Sequence, residues 1–203
     1  MRVHLIRHGQ TNWNKEKRVQ GHAESTLTLE GKQQAAALAP ALKPYNIAKV
    51  YCSTSIRTRE TAAIVFPEPG PSIEYCDELR EIFLGPWEGL LQSEIRELYP
   101  ENFAHFWDAP ERFEQEGAEL FDAVQQRGLM QLKRILSAHA TEDVAIVSHG
   151  VLIKSILCAL EGRPMAKLWE PPIMHNCAHS IVTCESPGAT PRIIQFAGLA
   201  SAT

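Results

Sequence analysis

The sequence predicts an α/β fold: a three-layer sandwich whose mostly parallel sheet of about six strands is covered by helices on both faces, with one antiparallel edge strand. Three observations predict it. Short β-rich runs alternate with helical patterns, the signature of a parallel sheet buried on both sides. The last two β-rich runs lie close enough in sequence to form a hairpin. The chain, with 203 residues of which 44% are hydrophobic, can bury one ordinary core, so a single domain over 1–203 is expected.

The first strand is Val3 to Ile6, and Arg7-His8-Gly9 ends it. Leu29 to Lys43 reads as a helix that Pro40 should kink or shorten, because proline removes a backbone donor. Val50 to Cys52 is a second strand, and Ile56 to Val65 a helix opened by Ser55 as N-cap. Ile73 to Tyr75 is a third strand. The stretch from about 85 to 116 breaks the alternation, holding Trp87, Phe103, Phe106, Trp107 and Phe113 among prolines and acids. It reads as a lid over the strand ends, with a plain packing flap as the rival. Ala118 to about Ala138 forms a long helix with Leu120, Val124, Leu132 and Ile135 on one face, where Gly128 allows close approach to the sheet. Val144 to Val147 is a strand ending in Ser148-His149-Gly150, and Val151 to Leu160 a helix. Ser180 to Thr183 and Arg192 to Gln195 form a hairpin across Ser186 to Pro191.

Composition narrows the partners. The formal net charge of -4, without a basic run, argues against nucleic acid, so an anionic small substrate must be held by local charge. Five cysteines without C-x-x-C spacing suggest reduced thiols in a cytoplasm. The start lacks a secretory pattern and no apolar run reaches membrane-spanning length, so a soluble cytoplasmic protein is expected. No cofactor is expected, and no metal, because no His or Cys cluster has ligand spacing.

Two histidines, His8 and His149, are thus delivered to one edge of one sheet, where ligands of open α/β sheets collect. Arg7 flanks the first, a turn at Gly9 lets Asn14 fold back, and Arg57 stands in the first turn of the helix after the second strand. A neutral imidazole attacks phosphorus and an imidazolium cannot; Arg7 and Arg57 disfavour a further positive charge beside His8 and neutralise phosphoryl oxygens. His149 and Asn14 add donors for the transition-state charge. Glu81 supplies the carboxyl group that protonates the leaving alcohol and later takes a proton from water. Glu88 rivals Glu81, but its place at a turn after Trp87 fits a structural hydrogen bond. Ser53 lacks the G-x-S-x-G surroundings of a serine nucleophile.

These residues in this order resemble the histidine phosphatase superfamily, in the branch that includes cofactor-dependent phosphoglycerate mutases. The resemblance rests on Leu5 to Asn14, Val19-Gln20-Gly21, Leu27 to Gly31, Ser53 to Ala62, Leu79 to Gly89 and Val147 to Gly150. It implies His8 as nucleophile, Glu81 as acid and base, and Arg7, Arg57 and His149 as phosphate ligands, with Asn14 a further one. Gln20, Gly21 and His22 should line the wall, and Gly150 borders the phosphate. Phe103 to Pro110, Val124 to Arg127 and Leu168 to Pro172 look most like the small broad-specificity phosphatases of the PhoE type. The resemblance implies a broad-specificity acid phosphatase, a monomer or homodimer, whose partners are a small phosphorylated substrate and inorganic phosphate. A phosphoglycerate mutase is the alternative, disfavoured because Glu88 to Glu116 holds only Arg96 and Arg112 as cations. A non-catalytic phosphoprotein-binding module is a further one, disfavoured because both His8 and Glu81 are present.

Overall fold

The structure, a computed structural model, describes residues 1–139, 141–186 and 189–200. One sheet contains β1 (Arg2–Arg7), β2 (Ile47–Ser53), β3 (Ser72–Cys76), β4 (Asp143–Ser148), β5 (His179–Thr183), β6 (Arg192–Phe196) and β7 (Leu199–Ala200). Their order is β3-β2-β4-β1-β5-β6-β7. The first four in that order run parallel. Each of β5, β6 and β7 runs antiparallel to its inner neighbour, so the antiparallel part is three strands wide, where the sequence suggested one edge strand. The seventh strand follows a two-residue turn at Ala197 and Gly198, both at positive φ, and is too short to leave a pattern. The centre of the β5–β6 connection lies outside the described residues.

The interiors of β1 and β4 are buried on both faces because side chains leave the two faces alternately, with His4 the one polar residue within the run Val3 to Ile6. Leu5, Val144 and Ile146 join the core beneath α6 (Phe121–Ala138) and α7 (Gly150–Leu160). Ile6, Ala145 and Val147 join the opposite core, beneath α2 (Leu29–Leu42) and α3 (Ile56–Val65). Each fully buried aliphatic side chain contributes about 1.5–3 kcal/mol of transfer free energy. Pro40 sits in the last turn of α2, which ends at Leu42. Ser55 holds the N-cap position of α3 without a side-chain cap bond. Two details of α6 differ from expectation. Leu120 is its exposed N-cap residue, and Gly128 admits Ile156 and Leu152 of α7, not the sheet.

The segment over 85–116 contains α4 (Gln92–Leu98) and α5 (Pro100–Asp108) between short 3₁₀ turns. Trp87 is its hub, 2% exposed, with the rings of Tyr99, Phe103, Phe106 and Phe113 at 5.2–6.4 Å. Its indole donates to Gln115 at 3.1 Å, so the buried N–H is satisfied. Phe106 also meets Phe121 of α6 and Trp169, which joins this aromatic group to the main core. Among the described residues, no helix is long and apolar enough to cross a membrane.

Candidate active site

The carboxyl ends of β1, β4 and β2 meet at one point. Arg7 pairs in register with Ser148, and the His8 amide donates to the Ser148 carbonyl at 3.0 Å, so His8 and His149 emerge side by side. Their ring centroids are 5.4 Å apart. His8 Nδ1 lies 2.7 Å from the Gly9 carbonyl. A carbonyl only accepts, so Nδ1 carries the hydrogen and Nε2 keeps its lone pair. Burial, then Arg57, then Arg7, hold the His8 imidazole well below its ordinary pKa, and the ring is neutral.

Arg57 is fixed by three of its five donors: Nη2 to the Gly21 carbonyl at 2.7 Å, Nη1 to the Ala23 carbonyl at 2.9 Å and Nε to His149 Nδ1 at 3.2 Å. Two donors remain for a ligand. Arg7 donates through Nη1 to the Met174 carbonyl, while its buried Nε has no partner among the described residues. Gly150 permits this placement, since a Cβ there would stand 3.3 Å from that Nε. His149 accepts from Arg57 at Nδ1, so its Nε2 carries the hydrogen, donated to Ser53 Oγ at 2.8 Å. Both ring nitrogens are therefore engaged. His149 is fully buried behind Arg57, off the cavity wall, unlike the ligand position expected from the sequence. Burial, Arg57 and His8 keep it neutral as well.

Asn14 and Gln20 share one logic. Asn14 Oδ1 accepts from the Thr11 amide and from Asn176 Nδ2, both at 3.1 Å. Gln20 Oε1 accepts from Thr11 Oγ1 at 3.0 Å and Ser25 Oγ at 2.5 Å. With their acceptors used, the two amides present N–H donors to a cavity they both line.

Glu81 lines the same cavity. Its carboxylate accepts from the amides of Ile82 (3.0 Å), Val151 (3.0 Å) and Leu152 (3.1 Å), the last two in the first turn of α7, where the helix dipole favours an anion. Glu88 is structural: its Oε1 accepts from the amides of His22 and Leu84 at 2.7 and 3.0 Å. Gly21 lines the cavity at positive φ, and a side chain there would collide with that carboxylate. His22 departs from expectation. It is turned away from the cavity, because its Nε2 donates to the Glu81 carbonyl at 2.8 Å, and it lines a second hollow instead.

The cavity has a volume of about 480 Å³; the buried His8 and Arg57 close its inner end beside Arg7 and Glu81, the exposed Trp107 and Ile173 stand at its mouth, and Phe106, Trp169 and Met174 line it as well. Three residues around it escaped sequence reasoning. Ser53, set aside as a nucleophile, is the acceptor that fixes His149, and its place at the end of β2 beside Arg57 was the available signal. Lys154, 2% exposed, donates to the carbonyls of Glu170 and Pro172 at 2.6 Å each and holds the outer wall; a lysine inside the apolar pattern of α7 was the clue. Asn176 braces Asn14, and nothing in the pattern pointed to it.

The sequence pattern of the histidine phosphatase superfamily (branch 1) matches residues 3–195. The chain belongs to this superfamily. Among solved structures, Bacillus stearothermophilus YhfR superposes with a TM-score of 0.94 at 40% identity, covering 98% of both chains. Among curated proteins, phosphoserine phosphatase 1 of Hydrogenobacter thermophilus is 33% identical over 165 residues, or 81% of this chain and 78% of that one. Adenosylcobalamin/alpha-ribazole phosphatase of Escherichia coli is 28% identical over 89% of each chain. For a histidine phosphatase the arrangement is coherent: a neutral imidazole that keeps the Nε2 lone pair lines one cavity with a carboxyl group and with two guanidinium groups that have donors without partners among the described residues.

Proposed function

We propose that this phosphatase hydrolyses small phosphomonoesters through a phosphohistidine at His8 Nε2, with Glu81 as general acid and then general base. One observation carries the reading: the Gly9 carbonyl takes the Nδ1 hydrogen of a buried imidazole and leaves Nε2 as the nucleophilic atom. The free donors of Arg7, Arg57, Asn14 and Gln20 bind the phosphoryl oxygens and stabilise charge that spreads over them in the transition state. In the first step the N–P bond forms, the P–O bond to the alcohol breaks, and protonated Glu81 gives its proton to the leaving oxygen. In the second, Glu81 takes a proton from water, the hydroxide oxygen attacks phosphorus, and the N–P bond breaks to return neutral His8 and phosphate. His149 holds Arg57 through Nδ1, a supporting part in place of direct ligation.

The apolar outer cavity suits esters that differ widely in the leaving group, so the specificity is broad. Small phosphorylated metabolites fit the inner end; the names of the relatives, phosphoserine and ribazole phosphatases, agree in this respect. Hydrolysis is favoured over mutase action because neither Arg96 nor Arg112 lines the cavity, Lys154 is spent on backbone carbonyls, and Arg18, which does line it, is held by Glu16 and the Gly89 carbonyl. A cavity whose outer cations are already engaged by the protein neither retains a bisphosphate nor keeps water out.

The test is a rapid-quench reaction with an aryl phosphate. The wild type should carry one phosphoryl group that survives alkali and is lost in acid, as a phosphoramidate is. His8→Ala should carry none and turn over no substrate, with an unchanged circular dichroism spectrum. Near-wild-type turnover by that variant refutes the assignment.

A further inference from the structure

Glu81 belongs to a segment, 81–84, that has no helix or strand of its own. Where the chain passes from the 3₁₀ turn Asp77–Leu79 into this segment, four consecutive carbonyls, those of residues 78 to 81, are held by side chains. Those of Glu78 and Arg80 accept from Arg127 Nη1 at 2.8 and 2.9 Å. That of Leu79 accepts from Ser148 Oγ at 2.7 Å. That of Glu81 accepts from His22 Nε2 at 2.8 Å and from Arg127 Nη2 at 3.3 Å. The rest of the Arg127 guanidinium is bound by Glu119, Nε to Oε1 at 3.0 Å and Nη2 to Oε2 at 2.9 Å. All five of its donors are therefore used. Arg127 lines the hollow behind the segment and does not line the catalytic cavity.

We infer that Arg127 is a positioning residue for proton transfer: seated on Glu119, its guanidinium clamps the backbone on either side of Glu81 and so aims the carboxyl group at the leaving oxygen. This rests on the reading of Glu81 as proton donor. The need for a clamp follows from the carboxylate's own contacts. In the ionised state three backbone amides orient it. Protonation weakens those bonds just when the group must act, whereas bonds to the backbone carbonyls are indifferent to its charge. A planar fork that spans three carbonyls and a carboxylate is also a task that lysine, a point charge, does not fulfil.

The experiment compares Arg127→Gln, Arg127→Lys, Glu119→Gln, Glu81→Gln and the double variant Arg127→Gln/Glu81→Gln. Substrates run from an alkyl phosphate to aryl phosphates with increasingly acidic phenols. The expected loss for Arg127→Gln is about 10–100-fold in kcat on the alkyl ester and less than about 3-fold on the most acidic phenol, because only poor leaving groups need the proton. Arg127→Lys should resemble Arg127→Gln. In the Glu81→Gln background, adding Arg127→Gln should change kcat on the alkyl ester by less than about 2-fold, since the two act as one unit. A loss of equal size on every substrate, or losses that multiply in the double variant, overturns the inference. Should Arg127→Gln fail to fold, Arg127→Lys and Glu119→Gln carry the same comparison. If Glu81→Gln itself shows no dependence on the leaving group, the proton-donor reading fails; if it does and the Arg127 variants do not, only the clamp fails.

Discussion

Replacing Gly31 by alanine should damage stability and turnover together, though Gly31 touches no substrate. It lies in the first turn of α2, whose N-cap Thr28 donates its amide to the Gln10 carbonyl at 2.9 Å and its hydroxyl to Gln10 Oε1 at 2.8 Å. A Cβ on Gly31 would stand 2.0 Å from the Gln10 oxygen and 2.8 Å from its nitrogen. The contact is reciprocal, since a Cβ on Gly9 would meet the Gly31 oxygen at 2.5 Å. Ordinary contact begins at 3.4 Å, so the helix and the Gly9-Gln10 turn must separate by about 1.4 Å. Both sides are backbone, and no flexible side chain can yield. Overpacking costs about 1–3 kcal/mol, and with backbone against backbone the upper part of that range, about 2–3 kcal/mol, applies; a gain of at most about 1 kcal/mol from helix propensity leaves a net of about 1–2 kcal/mol. For a chain of this size the net cost lowers the melting temperature by about 2–8 °C. His8 adjoins the displaced turn, and a shift of this order costs about 10–100-fold in kcat. Thermal unfolding and steady-state hydrolysis of an aryl phosphate measure the two effects. A melting temperature within about 1 °C of wild type, with unchanged kcat, refutes the reasoning.

Three further outcomes follow from the buried polar groups. Ser53→Ala leaves the His149 Nε2–H without its acceptor, at about 1–3 kcal/mol, and should lower kcat more than it changes KM; an unchanged melting curve and kcat contradict the part given to that hydroxyl. Because burial and two arginines keep His8 neutral far below pH 6.5, kcat/KM should show no acid limb at that pH, and a midpoint there counts against the nucleophile's environment. His4 Nδ1 and His179 Nε2 face each other at 2.9 Å, and burial lowers both pKa values to about 4. The unfolded chain takes up these protons near pH 6.5 and the folded one refuses them until about pH 4, so stability is full above that window and falls as pH drops through it. His179→Gln should flatten the decline in melting temperature across the window; equal slopes for variant and wild type would disprove the linkage.

Much of the framework was legible because long-range order left local marks. The runs at Val3 and Val144 place apolar residues on both faces, with His4 the one polar residue among them, as a sheet covered twice requires, and the His-Gly steps that end them bring the two histidines together. Direction and contact left no such marks. The sense of β5 depends on how the chain returns from α7, and Gly128 records a close approach without naming the partner. For His149 the residue type showed that it belongs to the site, but its use of both nitrogens depends on Ser53 and Arg57, distant in sequence. His22 sits next to the Gln20-Gly21 wall yet faces the other way, because the chain turns at positive φ through Gly21. The 85–116 segment was readable as aromatic, but its double membership of core and cavity wall emerges only when Trp87 gathers its neighbours.

That shared aromatic group ties two properties of the protein to the same side chains. Phe106, 6% exposed, borders the cavity and stacks within the core, so an enlargement made there to admit a bulkier ester also opens a void beneath Trp87. Trp107 and Ile173, at 39% and 62% exposed, border the same space from outside the buried core, Trp107 resting on the rings of Phe106 and Trp169. Selection for altered substrate range should therefore change the exposed pair first and reach Phe106 only in backgrounds that have gained stability elsewhere.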